Sequence, residues 1–132
     1  MITRGTTPYH SFVLPLATDD IVELYVTYLQ NEKILFEKSL SAGDVRIDTV
    51  TSQLDNASVE ELTDEEKQIE SKITIHLSQE DTLKFTFYPA AEKNIAVIQI
   101  RVLTSDGEAY ASNPIQERIY GVLKDGVVSA EI

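Results

Sequence analysis

Val22-Glu23-Leu24-Tyr25-Val26-Thr27-Tyr28 alternates side-chain character with a period of two residues. Val22, Leu24, Val26 and Tyr28 fall on one face and Glu23, Tyr25 and Thr27 on the other, as in a strand with one side in a core. Gln30-Asn31-Glu32-Lys33 interrupts the run, and Ile34, Phe36 and Leu40 then alternate with Leu35, Glu37 and Ser39. Two such runs across a short polar loop read as a β-hairpin. Ala42-Gly43-Asp44 ends it, and Val45 to Val50 gives a further strand. Ile73, Ile75 and Leu77 oppose Thr74, His76 and Ser78, and a polar step leads to Leu83, Phe85 and Phe87, read as another strand that Pro89 ends or confines to an edge. Ile95 to Leu103 is the most apolar run and is expected at the centre of a sheet. Ser105-Asp106-Gly107 supplies a tight turn, Asn113-Pro114 a break, and a last strand is expected near Ile115 to Leu123. Short strands at this spacing predict an all-β fold, an antiparallel β-sandwich of Ig-like or jelly-roll-like kind.

Composition agrees. Of 132 residues, 36 are Val, Ile or Thr, whose branched side chains favour strands. The length suits one domain over 1–132. Its core is expected to include Leu24, Val26, Phe36, Ile75, Phe85, Ile98, Ile100 and Val102. Eleven Lys and Arg against 22 Asp and Glu leave a net charge of −11, which repels nucleic-acid phosphates and anionic membranes, so neither is expected as a partner. Cysteine is absent, which removes disulfides and thiolate chemistry. No apolar run reaches the roughly 20 residues of a membrane helix, and the first residues lack the apolar stretch of a secretory signal peptide.

Acid is concentrated in one place. Between Asp55 and Glu70 seven carboxylates face the single base Lys67. Ser58 with Glu61, and Thr63 with Glu66, have capping-box spacing, which predicts one short helix in an acidic surface insertion over 55–70. Leu77-Ser78-Gln79-Glu80-Asp81 echoes Leu62-Thr63-Asp64-Glu65-Glu66, as shared capping preferences would produce. Residues 124–132 read as a tail.

Chemistry is sparse. His10 and His76 are the two histidines, and no Gly-x-Ser-x-Gly elbow accompanies them. His76 falls on the outward face of its strand, and His10 is expected to tie the N-terminal segment to a neighbouring backbone. The five glycines are too dispersed for a phosphate loop, and no Asp-x-Asp-x-Asp-Gly calcium loop occurs. No catalytic, cofactor-binding or metal-ligating residues are expected, and the chain reads as a non-enzyme. Tyr25, Tyr88, Tyr110 and Tyr120 point outwards by alternation, which leaves a small carbohydrate-binding module as the alternative.

The opening Met1-Ile2-Thr3-Arg4-Gly5-Thr6-Thr7-Pro8-Tyr9-His10-Ser11-Phe12 is the most distinctive stretch. It resembles the start of short proteins encoded among the tail-region genes of phages and prophages of Gram-positive bacteria, with Thr3 as an extra residue. Val26 to Asn31, Leu77 to Phe85 and Gln99 to Thr104 are similar to the same group. The resemblance implies a tail or baseplate accessory protein, made in the host bacterial cytoplasm and then part of the virion. Its partners would be phage tail or baseplate proteins or further copies of itself. Residues 1–8 read as an extended arm, with Arg4, Thr6, Thr7, Pro8 and His10 as candidate contacts. Such an arm either adds to a neighbouring sheet or packs on its own domain as an edge strand.

Overall fold

Strand β3, Ile21–Gln30, turns back through Asn31 and Glu32 into β4, Lys33–Ser39. Both turn residues take positive φ, 52° and 65°, the left-handed geometry that matches a tight hairpin to strand twist. On its other side β3 pairs antiparallel with β7, Ile95–Thr104, in register from Leu24 opposite Val102 to Leu29 opposite Val97. β7 is therefore central, as its apolar run predicts. Its far edge carries two short strands, β8 (Ala109–Ala111) and β9 (Ile115–Tyr120), separated at Asn113-Pro114. The turn into β8 needs Gly107, whose φ is +86°. The N-terminal β1, Ile2–Thr3, adds to β9 in parallel. The second sheet has three antiparallel strands, in the order β2 (Tyr9–Leu14), β6 (Gln68–His76) and β5 (Val45–Ser52). The computed structural model describes residues 1–52, 68–90, 94–122 and 126–128, with only the backbone course for 51, 52, 68 and 69.

The two sheets bury their facing residues together. Leu24, Val26, Tyr28, Ile98, Ile100 and Val102 of the larger sheet meet Val45, Ile73 and Ile75 of the smaller one. This is the all-β sandwich that the alternation predicts. Ile2 and Ile119 extend the core beneath the β1–β9 pair. Of the expected core set all are buried except Phe36, which is half-buried, with the ammonium groups of Lys38 and Lys84 lying 5.5 and 5.3 Å from its ring centre.

Four expectations need correction. Leu83 to Phe87 is not a strand. Gln79–Leu83 is the short helix α1, and the chain continues irregularly from it. Ser78 and Asp81 form a capping box that turns the chain out of β6, a local signal stronger than a three-residue alternation. Phe85 still reaches the core from this irregular segment. Val22 is 56% exposed, not on the inner face, because the β3–β7 register shifts between Ile21 and Glu23 and Ile21 takes the inward place. Ile34 is exposed for a similar reason, a register shift between Tyr28 and Leu29. The acidic insertion ends sooner than expected, since 68–70 already belong to β6. The helix expected within 55–70 otherwise lies outside the described residues, as does most of the 124–132 tail.

Replacing Ile100 or Phe85 with Ala removes a fully buried side chain and should cost about 2–5 kcal/mol in denaturant unfolding. Val22→Ala, on the exposed side of the register shift, should stay within about 0.5 kcal/mol of the parent.

Candidate functional site

The N-terminal arm folds onto its own domain, the second of the two courses open to it. Thr3 pairs with Tyr120, and the Arg4 amide donates to the Tyr120 carbonyl at 3.0 Å. Gly5, at φ +80°, then turns the chain across α1, where an added Cβ would meet the Gly126 carbonyl at 3.0 Å. The Arg4 guanidinium donates to the carbonyls of Leu83 (3.1 Å), the last residue of α1, and of Phe85 (2.6 Å) just beyond it, where a cation satisfies orphan acceptors. The Gly5 amide donates to the Thr82 hydroxyl, and that hydroxyl donates to the Thr6 carbonyl. The Thr7 carbonyl lies 3.1 Å from His76 Nε2, and the Pro8 carbonyl accepts from the Leu77 amide at 3.0 Å.

Four of the five candidate contacts, Arg4, Thr6, Thr7 and Pro8, are thus gathered on 76–85. Their side chains and backbone acceptors bind the chain to itself. His10 stands apart. It is 9% exposed and its Nδ1 lies 3.0 Å from the Tyr28 hydroxyl, so it binds a side chain in the core, which corrects the expectation that it ties the N-terminal segment to a neighbouring backbone. Its Nε2 is buried without a hydrogen-bond partner among the described residues. Burial lowers the imidazole pKa from its ordinary value, the Glu117 carboxylate opposes this, and the N-terminal ammonium adds to it. Burial, with the Asp81 and Glu117 carboxylates, likewise pushes the Tyr28 phenol far up. The pair is neutral, a packing element with one hydrogen bond.

The stretches that carry the resemblance meet here. Tyr28 sits edge-on to Phe85 with ring centres 6.2 Å apart. The Gln30 amide brackets the Thr86 backbone, donating to its carbonyl at 2.8 Å and accepting its N–H at 2.7 Å. Thr27 lies opposite Gln99. In this chain these motifs hold the fold together.

Two surfaces were not legible beforehand. The Tyr9 ring stacks on His76 at 4.0 Å between centres, and Asp44, Arg46 and Thr74 complete a shallow hollow beside them. The Tyr9–His76 register decides this pair, and that register joins residues far apart in sequence. The larger surface is a cleft of about 590 Å³ between the sheets, along the side where β2 and β8 are both outermost. Ile100 and Val102 form its floor, and Val13, Leu14, Leu16 and Tyr110 its walls. Val13 is 55% and Tyr110 51% exposed. Among the described residues no His, Asp or Glu cluster is arranged to hold a metal ion, and no helix is long and apolar enough to cross a membrane. Comparison with protein families, with curated proteins and with solved structures gives no match.

Arg4→Ala should cost about 1–3 kcal/mol, because it strips two carbonyls of a charged donor, whereas Thr7→Ala should cost under about 0.5 kcal/mol, since Thr7 contributes only its carbonyl. Acidification provides a second check. The unfolded chain protonates His10 near 6.5 while the folded chain resists, so stability is full above that pH and falls below it until the lowered native pKa is reached. The slope from this residue is at most about 1.4 kcal/mol per pH unit. His10→Gln, which can still bond Tyr28 but does not titrate, should flatten the loss between pH 7 and 5 in urea unfolding.

Proposed function

We propose that this protein is a non-enzymatic component of a phage or prophage particle, a tail or baseplate accessory part that works by docking to other proteins. The observation that carries the reading is the open cleft between β2 and β8. Two sheet edges lie beside an apolar floor there, with Val13 and Tyr110 exposed on its walls. Apolar surface and unpaired strand edges are what assembled β proteins use to join. The resemblance of the opening residues to tail-region proteins supplies the setting, and with it a route from host cytoplasm to virion. The stacked Tyr9 and His76 favour a second reading, in which the hollow at Asp44 and Arg46 binds a sugar ring against the exposed Tyr9 face.

Expressed with an affinity tag during phage production, the protein should band with purified particles in a density gradient. Absence from the particle fraction would overturn the virion assignment. Glycan binding that disappears in Tyr9→Ala would give the protein to the second reading.

A further inference from the structure

Among the described residues the larger sheet has a five-strand path, β1-β9-β7-β3-β4, whereas the smaller has three strands. Phe85, just past α1, fills part of the difference, packing on Tyr28 and Phe36. At the Val13–Leu14 end of β2 nothing among the described residues does, and the inner residues Ile100 and Val102 line an open cleft there.

The edge of β2 is ready to accept a further strand. The Leu77 amide bonds the Pro8 carbonyl, and Tyr9 lies opposite His76. Antiparallel ladders alternate, so His10, Phe12 and Leu14 bond β6, while the N–H and C=O groups of Tyr9, Ser11 and Val13 point the other way, towards the cleft side. β8 also has an outer edge, but it is three residues long and stops before Pro114. The six-residue β2 is the better template.

Charge selects the occupant. At one end the cleft runs into a second hollow that shares Leu16 and Tyr110 with it and contains Asp20 and Asp106. Hydrogen bonds from the Thr104 hydroxyl and the Glu108 amide hold the Asp106 carboxyl below its usual range. Among the described residues no Lys or Arg lines either hollow. A second copy, with the same net charge of −11, would bring acid to acid.

We propose that β2 accepts an extended segment of a basic partner protein as a fourth strand of the smaller sheet. Apolar side chains of that segment lie on Leu14, Leu16 and Tyr110, over Ile100 and Val102, and a Lys or Arg lies beside Asp20 and Asp106. This rests on the docking function proposed above and names its surface and the chemistry of its partner.

The probe is a synthetic peptide of about 10 residues, alternating Val and Thr and ending in Lys-Arg, with a Glu-Glu counterpart. Titrated into the full chain, the basic peptide should slow hydrogen exchange at the Ser11 and Val13 amides by about tenfold or more. It should bind at least about tenfold more tightly than the acidic one. Val13→Pro removes an N–H that β6 does not use and should abolish binding, with thermal unfolding showing that the variant is folded. Asp20→Lys leaves β2 untouched and should erase the preference for the basic peptide. Unchanged exchange at both amides, or equal affinity for the two peptides, would overturn the proposal. So would concentration-dependent self-association that protects the same amides without peptide, which would give the edge to a second copy. A protein that binds the basic peptide but stays out of particles keeps this site and loses the virion assignment. One that bands with particles while both amides exchange freely does the reverse.

Discussion

Where β6 ends, the Ser78 hydroxyl accepts the Asp81 amide and the Asp81 carboxylate accepts the Ser78 amide, at 3.1 and 3.0 Å. Much of the structure leans on this exchange. It ends the smaller sheet's central strand and starts α1, which delivers Phe85 to the core of the larger sheet. Asp81 also receives Lys38 of β4 at 2.8 Å, an ion pair with both side chains largely covered. Burial alone would raise the Asp81 pKa, but the hydrogen bonds from Lys38 and Ser78 outweigh it and leave the carboxyl below its usual value. Because Ser78 follows directly on β6, Lys38 belongs to β4 and Thr82 of α1 bonds Gly5 and Thr6, one helical turn joins both sheets and the N-terminal arm.

That arm shows how a polar segment becomes structural. From Arg4 to Pro8 every residue gives at least one backbone or side-chain group to the arm's own neighbours, mostly within 76–85. Hydrogen bonds of this kind contribute modestly one at a time, but a buried group left without a partner is costly, so the set holds together as a unit. The same economy shows at Asn94, whose side chain accepts the Tyr88 amide and donates to the Tyr88 carbonyl. His10 is the exception, with one ring nitrogen satisfied and the other buried without a partner among the described residues, and this is what makes it sensitive to acid.

Unequal sheets give the molecule its sidedness. On one side the 77–87 segment and the arm cover the core. On the other, β2 and β8 leave Val13 and Tyr110 in solvent above Ile100 and Val102. A strand edge beside apolar surface invites pairing, and an acidic molecule narrows the choice of what pairs with it.

Much of the fold was legible in local pattern. Alternation determined the inward faces of β6 and β7, because a strand's period of two assigns each side chain to a face whatever its partner. Gly107 determined a turn through its positive φ, and composition determined the acidity. The Leu83, Phe85, Phe87 alternation misled, because so short an apolar run suits a strand or an irregular segment equally and the capping box before it decided between them. Tertiary structure alone decided three further things. Register shifts turned Val22 and Ile34 outwards. The arm found its hydrogen-bond partners some 70–80 residues away, at Leu77, Thr82, Leu83 and Phe85. The cleft opened where one sheet outruns the other. Backbone hydrogen bonds carry no side-chain code, so which edges they join depends on how the strands are ordered, and that order comes from packing the whole chain at once.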